Sequence, residues 1–302
     1  MKKGFAMTLI PFDDRDGFIW IDGHMMPWRQ AQVHVMTHGL HYASSVFEGE
    51  RAYNGVIFRS NDHSKRLIRS AEILGMTVPY TADELDTIKY EVLKKNNLST
   101  AYLRPVAWRG SEEMGIGAPL TKTHIAIACW DWPSYYGQDD VGIKLCSTTW
   151  RKPDPRTMPT ASKTAGLYCV GTIAKHEAGL KGCQDVMMLD TNGDVAEATS
   201  ANLFAVIDGV LKTPEPKCFL NGLTRQTVLD LARTLNITAS VERITPDDMK
   251  RATEVFLTGT AAEVVAVGKI EDQIYKVGDI TKRIRTAYGD LVRSGREYTR
   301  AA

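Results

Sequence analysis

An excess of either charge is the first thing missing: 37 Lys and Arg face 36 Asp and Glu, a formal net charge of +1 over 302 residues. Without a basic surplus or a basic cluster, nothing suggests a protein that tracks a nucleic-acid backbone. Long apolar runs are missing as well, and no stretch approaches the roughly 18 residues a membrane span needs. Met1-Lys2-Lys3 opens as a secretory signal would, but the apolar run from Phe5 to Ile10 is too short. Pro11, Asp13 and Asp14 then end it without a cleavage-site pattern. There is no low-complexity segment of the kind that stays disordered. Cysteine is sparse: Cys129, Cys146, Cys169, Cys183 and Cys218 are scattered and never spaced C-x-x-C. That pattern reads as reduced thiols, mostly core filler. Neither a G-x-G-x-x-G nor a Walker P-loop occurs, so dinucleotide and nucleoside-triphosphate readings are weak. A soluble cytoplasmic protein is the expectation.

Apolar material, by contrast, is ample: 43% of the chain, enough for two domains that each close a core. In the first third, Phe18 to Ile21 runs through Asp22-Gly23 to Met25-Met26, and Asn54-Gly55 separates Arg51 to Tyr53 from Val56 to Phe58. Both dipeptides suit a type I′ hairpin turn, where two successive residues need positive φ. A helix is expected after Asn61-Asp62, with Leu67, Ala71 and Leu74 on one face and Gly75 as its stop. Another opens at Thr81 with Glu84 closing a capping box and Leu85, Ile88 and Val92 inward. Strands follow at Tyr102 to Trp108 and Ile125 to Trp130. The Pro-, Gly- and acid-containing stretch Asp131 to Val141 reads as a linker.

Beyond it the pattern predicts strands at Ile143 to Cys146, Val186 to Leu189, Leu203 to Val206, Val210 to Lys212 and Val255 to Leu257. Helices are expected at Thr164 to Ala178, after Thr224, and at Ile280 to Leu291. The fold class is therefore α+β, with domains at 1–133 and 140–302 and a linker at 134–139.

Four local patterns could carry chemistry. His34-x-x-x-His38-x-x-His41 would share a helical face, as zinc ligands do, but Gly39 and the β-branched neighbours favour tight-turn structure and hydrogen-bonding histidines. Gly222-Leu223-Thr224 leads into a helix whose free N–H groups and positive dipole end would cradle an anion; taken alone, an ordinary N-cap by Thr224 is the simpler reading. Gly259-Thr260-Ala261-Ala262 offers similar donors after a strand. Lys163 sits among small residues in Pro159-Thr-Ala-Ser-Lys-Thr-Ala-Gly166, where a lysine nucleophile could be partly desolvated. Composition alone nonetheless leaves Lys163, like most lysines, a solvated surface group, and Glu197 an ordinary acid.

Taken together these segments resemble the branched-chain amino acid aminotransferases, fold-type IV enzymes that use pyridoxal 5′-phosphate. The resemblance runs from about Trp20 to Tyr288. It is carried by His34-Val-Met-Thr-His-Gly-Leu-His-Tyr42, Val46-Phe-Glu-Gly49, Ala101-Tyr-Leu-Arg-Pro105, Met114-Gly-Ile116, Pro159-Thr-Ala-Ser-Lys163, Asp190 to Phe204, Gly222-Leu-Thr-Arg225 and Gly259-Thr-Ala-Ala-Glu263. It implies a smaller α/β N-terminal domain and a larger pseudo-barrel C-terminal domain. It also implies reversible amino transfer from Leu, Ile or Val to 2-oxoglutarate.

Lys163 would hold the cofactor covalently and carry the proton. Glu197 would pair with the pyridine nitrogen, and Tyr168 would bond the phenolic oxygen. Arg66, Leu223, Thr224 and Thr260 would bind the phosphate. The implied substrate pocket comprises Tyr42, Phe47, Gly49, Tyr102, Arg104, Met114, Ile116, Trp132, Tyr135, Ala261 and Ala262. Tyr42, Met114 and Ile116 would come from a neighbouring subunit of a dimer or hexamer. No metal, nucleic acid or membrane partner is implied.

Ala43, Ser44, Asn221 and Thr199-Ser200-Ala201 depart from the commoner pattern, which bears on substrate preference and leaves the reaction type intact. The alternatives are a D-amino acid or (R)-amine transaminase, an aminodeoxychorismate-type lyase, and a pseudoenzyme on the same scaffold.

Overall fold

Residues 10–132, 141–295 and 298 are described by the structure, a computed structural model. The expected linker at 134–139 and Tyr135 lie outside the described residues. Both turn dipeptides behave as their chemistry requires. Asp22 and Gly23 hold φ of 47° and 95°, joining β1 (Phe18–Ile21) to β2 (His24–Pro27). A single helical turn, α1 (His38–Tyr42), and a short strand, β3 (Ser45–Phe47), follow. Asn54 and Gly55, at 51° and 86°, then join β4 (Glu50–Tyr53) to β5 (Val56–Ile57).

Two helices come next, α2 (Ser60–Ile73) and α3 (Ala82–Lys95). The second starts at Thr81 with both halves of the capping box formed. Long strands β6 (Ala101–Arg109) and β7 (Thr123–Trp130) complete a seven-stranded sheet of order β2-β1-β7-β6-β4-β5, with β3 also paired to β6. Alternate residues of β7 (Ile125, Ile127, Cys129) point into a core with Leu67 and Ala71 of α2 and Leu85 and Val92 of α3. Period 2 on the sheet thus meets period 3.6 on the helices.

The second half is built on β8 (Ile143–Arg151), α4 (Tyr168–Leu180), β9 (Asp185–Leu189), β10 (Asn202–Ile207), β11 (Val210–Thr213) and α5 (Leu223–Thr234). The chain continues through β12 (Ala239–Val241), the single turn α6 (Pro246–Met249), β13 (Ala252–Gly259), β14 (Glu263–Ile270), β15 (Gln273–Ile274) and α7 (Asp279–Arg293). The sheet has eight strands in the order β12-β11-β10-β13-β14-β8-β9, with β15 on β14. Isolated bridges Leu189–Val195 and Glu197–Asn202 carry the β9 edge back toward β10. That return closes most of a barrel around Leu203, Ala205, Leu257, Val265 and Val267.

The opposite face of the same strands (Phe204, Val206, Phe256, Val264) packs under Val228 of α5 and Ile284 and Tyr288 of α7. Strands buried on both faces lose the alternation that marks a half-exposed strand, so β14 escaped the pattern reading. The helix expected over Thr164 to Ala178 starts later: residues 165–167 form a 3-10 turn and α4 begins at Tyr168. Val195, two residues before Glu197, takes part only in an isolated bridge to Leu189.

The two sheets meet through named contacts. Arg59, at the start of α2, donates from Nη1 to Leu223 O at 2.8 Å and to Thr227 Oγ1 at 3.2 Å, both on α5. Tyr53 Oη on β4 donates to Glu263 Oε1 at 2.8 Å, at the first residue of β14. Both ties fix the walls of the cavity that lies between the sheets.

Candidate active site

A cavity of about 240 Å³ opens between the sheets, lined from the first by Phe47, Gly49, Arg66, Tyr102, Arg104 and Trp132. The second half supplies Lys163 and Tyr168, Glu197, Leu223 and Thr224, and Thr260 to Ala262. Lys163 stands on the loop between β8 and α4, and its backbone is pinned by α2 and β3 of the other half. Its N–H donates to Ser70 Oγ at 3.0 Å, and its carbonyl accepts from Phe47 N–H at 3.1 Å. The side chain donates from Nζ to Tyr168 Oη at 2.7 Å and lies 5.0 Å from the Phe47 ring centroid. The backbone is thus fixed across the seam, and the amine is held in the cavity by Tyr168.

Glu197 sits on the tight return between the Val195 bridge and β10. Being bridge partners, Glu197 and Asn202 face each other, and Asn202 Nδ2 donates to Glu197 Oε2 at 2.8 Å. Lys152 Nζ lies 2.7 Å from Oε1. Burial raises the Glu197 carboxyl above its ordinary value, with Lys152 and then Lys163 opposing that rise.

The N-terminus of α5 is not capped by Thr224, the simpler reading of that turn. Gly222 occupies the N-cap with no side-chain cap, and Thr224 lies inside the first turn. The first N–H groups of α5 are therefore left for an anion. A Cβ at Gly222 would come within 2.2 Å of Asn202 Oδ1, so glycine is what lets the helix end approach the Glu197 return. Thr258 Oγ1 is buried on the cavity wall without a hydrogen-bond partner.

Arg66 comes from α2, held edge-on. Its Nε and Nη2 donate to Glu48 at 2.6 and 2.8 Å, and His63 Nδ1 is 2.6 Å from the same carboxylate. Burial would raise Glu48, but Arg66 and then His63 hold its carboxyl far below the ordinary carboxylate range. Burial brings His63 down to about 4. The donor set is thus a helix N-terminus, a Gly-Thr turn and a preoriented guanidinium, which is the chemistry a phosphate dianion requires. An acid opposite Lys163 suits a ring nitrogen, so the residues present fit a phosphorylated pyridine aldehyde.

At the other end, Arg104 Nη2 donates to Tyr102 Oη at 3.1 Å, and the guanidinium lies 4.8 Å from the Phe47 ring centroid. The Tyr102 ring packs against Trp130 and Trp132 with centroids 5.1 and 4.9 Å away. The Thr260-Ala261-Ala262 turn is pinned by Glu263, which holds φ of 56° and receives Tyr53 Oη and Arg293 Nη2.

Tyr42, Met114 and Ile116 are not on this wall; their side chains are exposed on the surface. The histidines are spent locally. His38 lies against Gly115 O and Ser44 Oγ, His41 against Val35 O, and His34 Nδ1 accepts from Met36 N–H. Ala43 holds φ of 54°, a left-handed conformation that glycine adopts more readily. Three buried residues went unread in the sequence. Glu48 stood in the quoted Val46-Phe-Glu-Gly49, and Asn202 beside Glu197 in the quoted Asp190 to Phe204. Lys152 had no local signal.

The profile of the family described as amino-transferase class IV matches residues 45–270. The chain belongs to this family. Among other class IV aminotransferases, the branched-chain-amino-acid aminotransferase of Pseudomonas aeruginosa is 41% identical, over 92% of this chain and 94% of the relative. That of Escherichia coli K12 is 38% identical, over 91% and 92%. The solved Escherichia coli structure superposes with a TM-score of 0.90 at 37% identity, covering 94% of this chain and 97% of the other. A branched-chain amino acid aminotransferase from T.th., complexed with N-(5′-phosphopyridoxyl)-L-glutamate, gives a TM-score of 0.88 at 35% identity over 93% and 96%. The class IV aminotransferase described here is a pyridoxal 5′-phosphate enzyme with the expected α+β, two-domain, fold-type IV architecture.

Proposed function

We propose that this protein transfers the amino group of leucine, isoleucine and valine reversibly to 2-oxoglutarate. The observation that carries the reading is the pairing, in one cavity, of Lys163 and Tyr168 with an aromatic wall edged by Arg104. A branched aliphatic side chain fits against Phe47, Tyr102 and Trp132. The distal carboxylate of glutamate fits the same place by reaching Arg104 and the Tyr102 hydroxyl. The backbone N–H groups of the Thr260-Ala261-Ala262 turn suit the α-carboxylate common to both.

Bound pyridoxal phosphate supplies an aldehyde that condenses with amines and a ring that accepts the electron pair of a broken Cα–H bond. Lys163 Nζ is the group placed to attach it and afterwards to carry the Cα proton. Glu197 would hold a proton at the ring nitrogen, Tyr168 Oη would bond the phenolic oxygen, and Arg66, Thr260 and the α5 N-terminus would bind the phosphate. Trp132, Tyr102 and Phe47 exclude water from the reacting carbon.

The same reading divides the chain into domains 1–133 and 140–302 joined at 134–139. It takes Tyr42, Met114 and Ile116 into the active site of a neighbouring copy in a dimer or hexamer. Support comes from their exposure, alongside exposed Val33, Val35, Leu40 and Leu120, and from His38 Nε2, 2.8 Å from Gly115 O, which brings the two segments together. No helix among the described residues is long and apolar enough to cross a membrane. All five cysteines are free, in keeping with a reducing cytoplasm.

The test is a half-reaction: L-leucine added without acceptor should convert the visible absorption of the loaded enzyme to that of the pyridoxamine form. Preference for D-alanine or (R)-1-phenylethylamine, or turnover that needs no 2-oxo acid, would overturn the reading. Arg104→Leu should lower kcat/KM for 2-oxoglutarate by roughly 10- to 100-fold, the worth of one charged hydrogen bond, and that for L-leucine much less.

Gly49→Ala is expected to act on the same pocket from behind. Its Cβ would lie 2.0 Å from Tyr102 Oη, so the ring must leave its place against Trp130 and Trp132. Overpacking of about 1–3 kcal/mol predicts a KM for L-leucine at least about fivefold higher, with the cofactor absorption unchanged. Steady-state kinetics beside an absorption spectrum checks both halves.

A further inference from the structure

Glu197 is gripped by a cation that the reaction as outlined leaves without a role. Lys152 is the first residue after β8, and its backbone N–H donates to Leu189 O at 2.9 Å, so it is fixed to the end of β9. Its ammonium lies 2.7 Å from Glu197 Oε1 and 3.0 Å from Thr199 O, with both side chains over nine-tenths buried. Asn202 holds the other oxygen, Oε2, at 2.8 Å and is itself braced by a second bond from Nδ2 to Leu220 O at 3.1 Å. Both carboxylate oxygens are thus fixed, and only the lone pairs facing the cavity remain.

Among the described residues, those acting on Glu197 besides Lys152 include Lys163 across the cavity and Asp185, itself bonded to Lys175 and to the Thr199 N–H. A carboxylate taken out of water tends to bind a proton, and burial pushes Glu197 in that direction. A proton captured by Glu197 is a proton it cannot leave on a ring nitrogen.

We propose that Lys152 is a positioning residue for amino transfer: its buried ammonium keeps the Glu197 carboxylate anionic and aimed at the cofactor's ring nitrogen. The inference rests on the role given to Glu197 above. Coulomb attraction falls with distance, so an ammonium in contact with Glu197 stabilises the carboxylate more than it repels a proton on the nitrogen beyond it. The pair therefore favours a protonated ring, the form that accepts electrons.

The test uses Lys152→Met, which keeps the stem and deletes the charge, Lys152→Gln, which keeps hydrogen bonding without charge, and Lys152→Arg. In the cofactor-free protein, infrared difference spectra across pH follow the carbonyl stretch of protonated Glu197, assigned by its loss in Glu197→Gln. K152M and K152Q should move that titration upward by at least about one pH unit, a tenfold change in proton affinity, and K152R should restore it. With pyridoxal phosphate bound, the same two variants should lose at least about tenfold in the L-leucine half-reaction rate with little change in KM.

If K152M does not fold, K152Q carries both readouts. An unmoved Glu197 titration in the uncharged variants, or a moved titration with an unchanged half-reaction rate, overturns the proposal. A wild-type protein that binds no pyridoxal phosphate would instead overturn the functional reading, while the infrared arm still reports on Lys152.

Discussion

Lys163→Ala should remove the covalent attachment of the cofactor, abolish the visible absorption of the bound form and slow amino transfer by at least about 10³-fold. The expectation follows from geometry. Nζ is held by Tyr168 Oη at 2.7 Å, and the lysine backbone is anchored on both sides of the seam by Ser70 and Phe47. Among the described residues no other lysine amine on the cavity wall is available, because Lys152 is bound to Glu197 and Thr199 O. Fold and phosphate site should survive, since alanine leaves the backbone bonds intact. Absorption spectroscopy with added pyridoxal phosphate, run beside single-turnover kinetics, decides it. An unchanged absorption band and full turnover in the variant would remove Lys163 from the mechanism.

The largest effect on stability is expected at Glu48. Its carboxylate is fully buried and binds Arg66 through two nitrogens, His63 through one, and the Gly49 N–H at 3.3 Å. Glu48→Ala leaves the Arg66 guanidinium without its counter-charge, and breaking a buried pair in this way costs about 3–5 kcal/mol. Arg66 would also lose the two bonds that orient it, so the dissociation constant for pyridoxal phosphate should rise by at least about tenfold. Urea unfolding of the cofactor-free protein and a binding titration separate the two effects.

Glu48→Gln gives the pH arm. The Glu48 carboxyl is depressed by folding, so the unfolded chain takes up its proton first on acidification. Its stabilising contribution is complete above the ordinary carboxylate range and is lost as pH falls toward the depressed folded value. Stability of the wild type should therefore fall more steeply than that of Glu48→Gln below about pH 4. Parallel acid profiles would show that Glu48 does not carry the linkage.

Local chemistry was legible wherever a residue's own backbone preference settled the matter. Asp22-Gly23 and Asn54-Gly55 turn with the positive φ those residues tolerate, and the Thr81–Glu84 box opens α3. Helical faces with one buried stripe, such as Leu67 and Ala71, were equally plain. Legibility failed for β14, which is covered on both sides. It also failed at Gly222, where the helix end is shaped by Asn202, a residue 20 positions away, rather than by Thr224.

The site itself is a harder case. Nothing in the residues alone raised Lys163 or Glu197 above a surface lysine and an ordinary acid; only the resemblance across many segments did. Glu48 and Lys152 are charged side chains that composition would place in water, and they are buried because each meets an opposite charge delivered by another element.

The sequence by itself determined where the chain turns, which helices have a core face, and to which family its ordered motifs belong, because those properties rest on neighbouring residues and on spacing. Only the tertiary structure decided which polar groups meet: Arg66 with Glu48, Lys152 with Glu197, Lys163 with the Tyr168 hydroxyl. The first two pairs arise where separate elements meet, and even beside Tyr168, close in the chain, the Lys163 backbone is fixed across the seam by Ser70 and Phe47. Electrostatic attraction between buried groups depends on distance and burial in three dimensions, and neither quantity is written in the order of the residues.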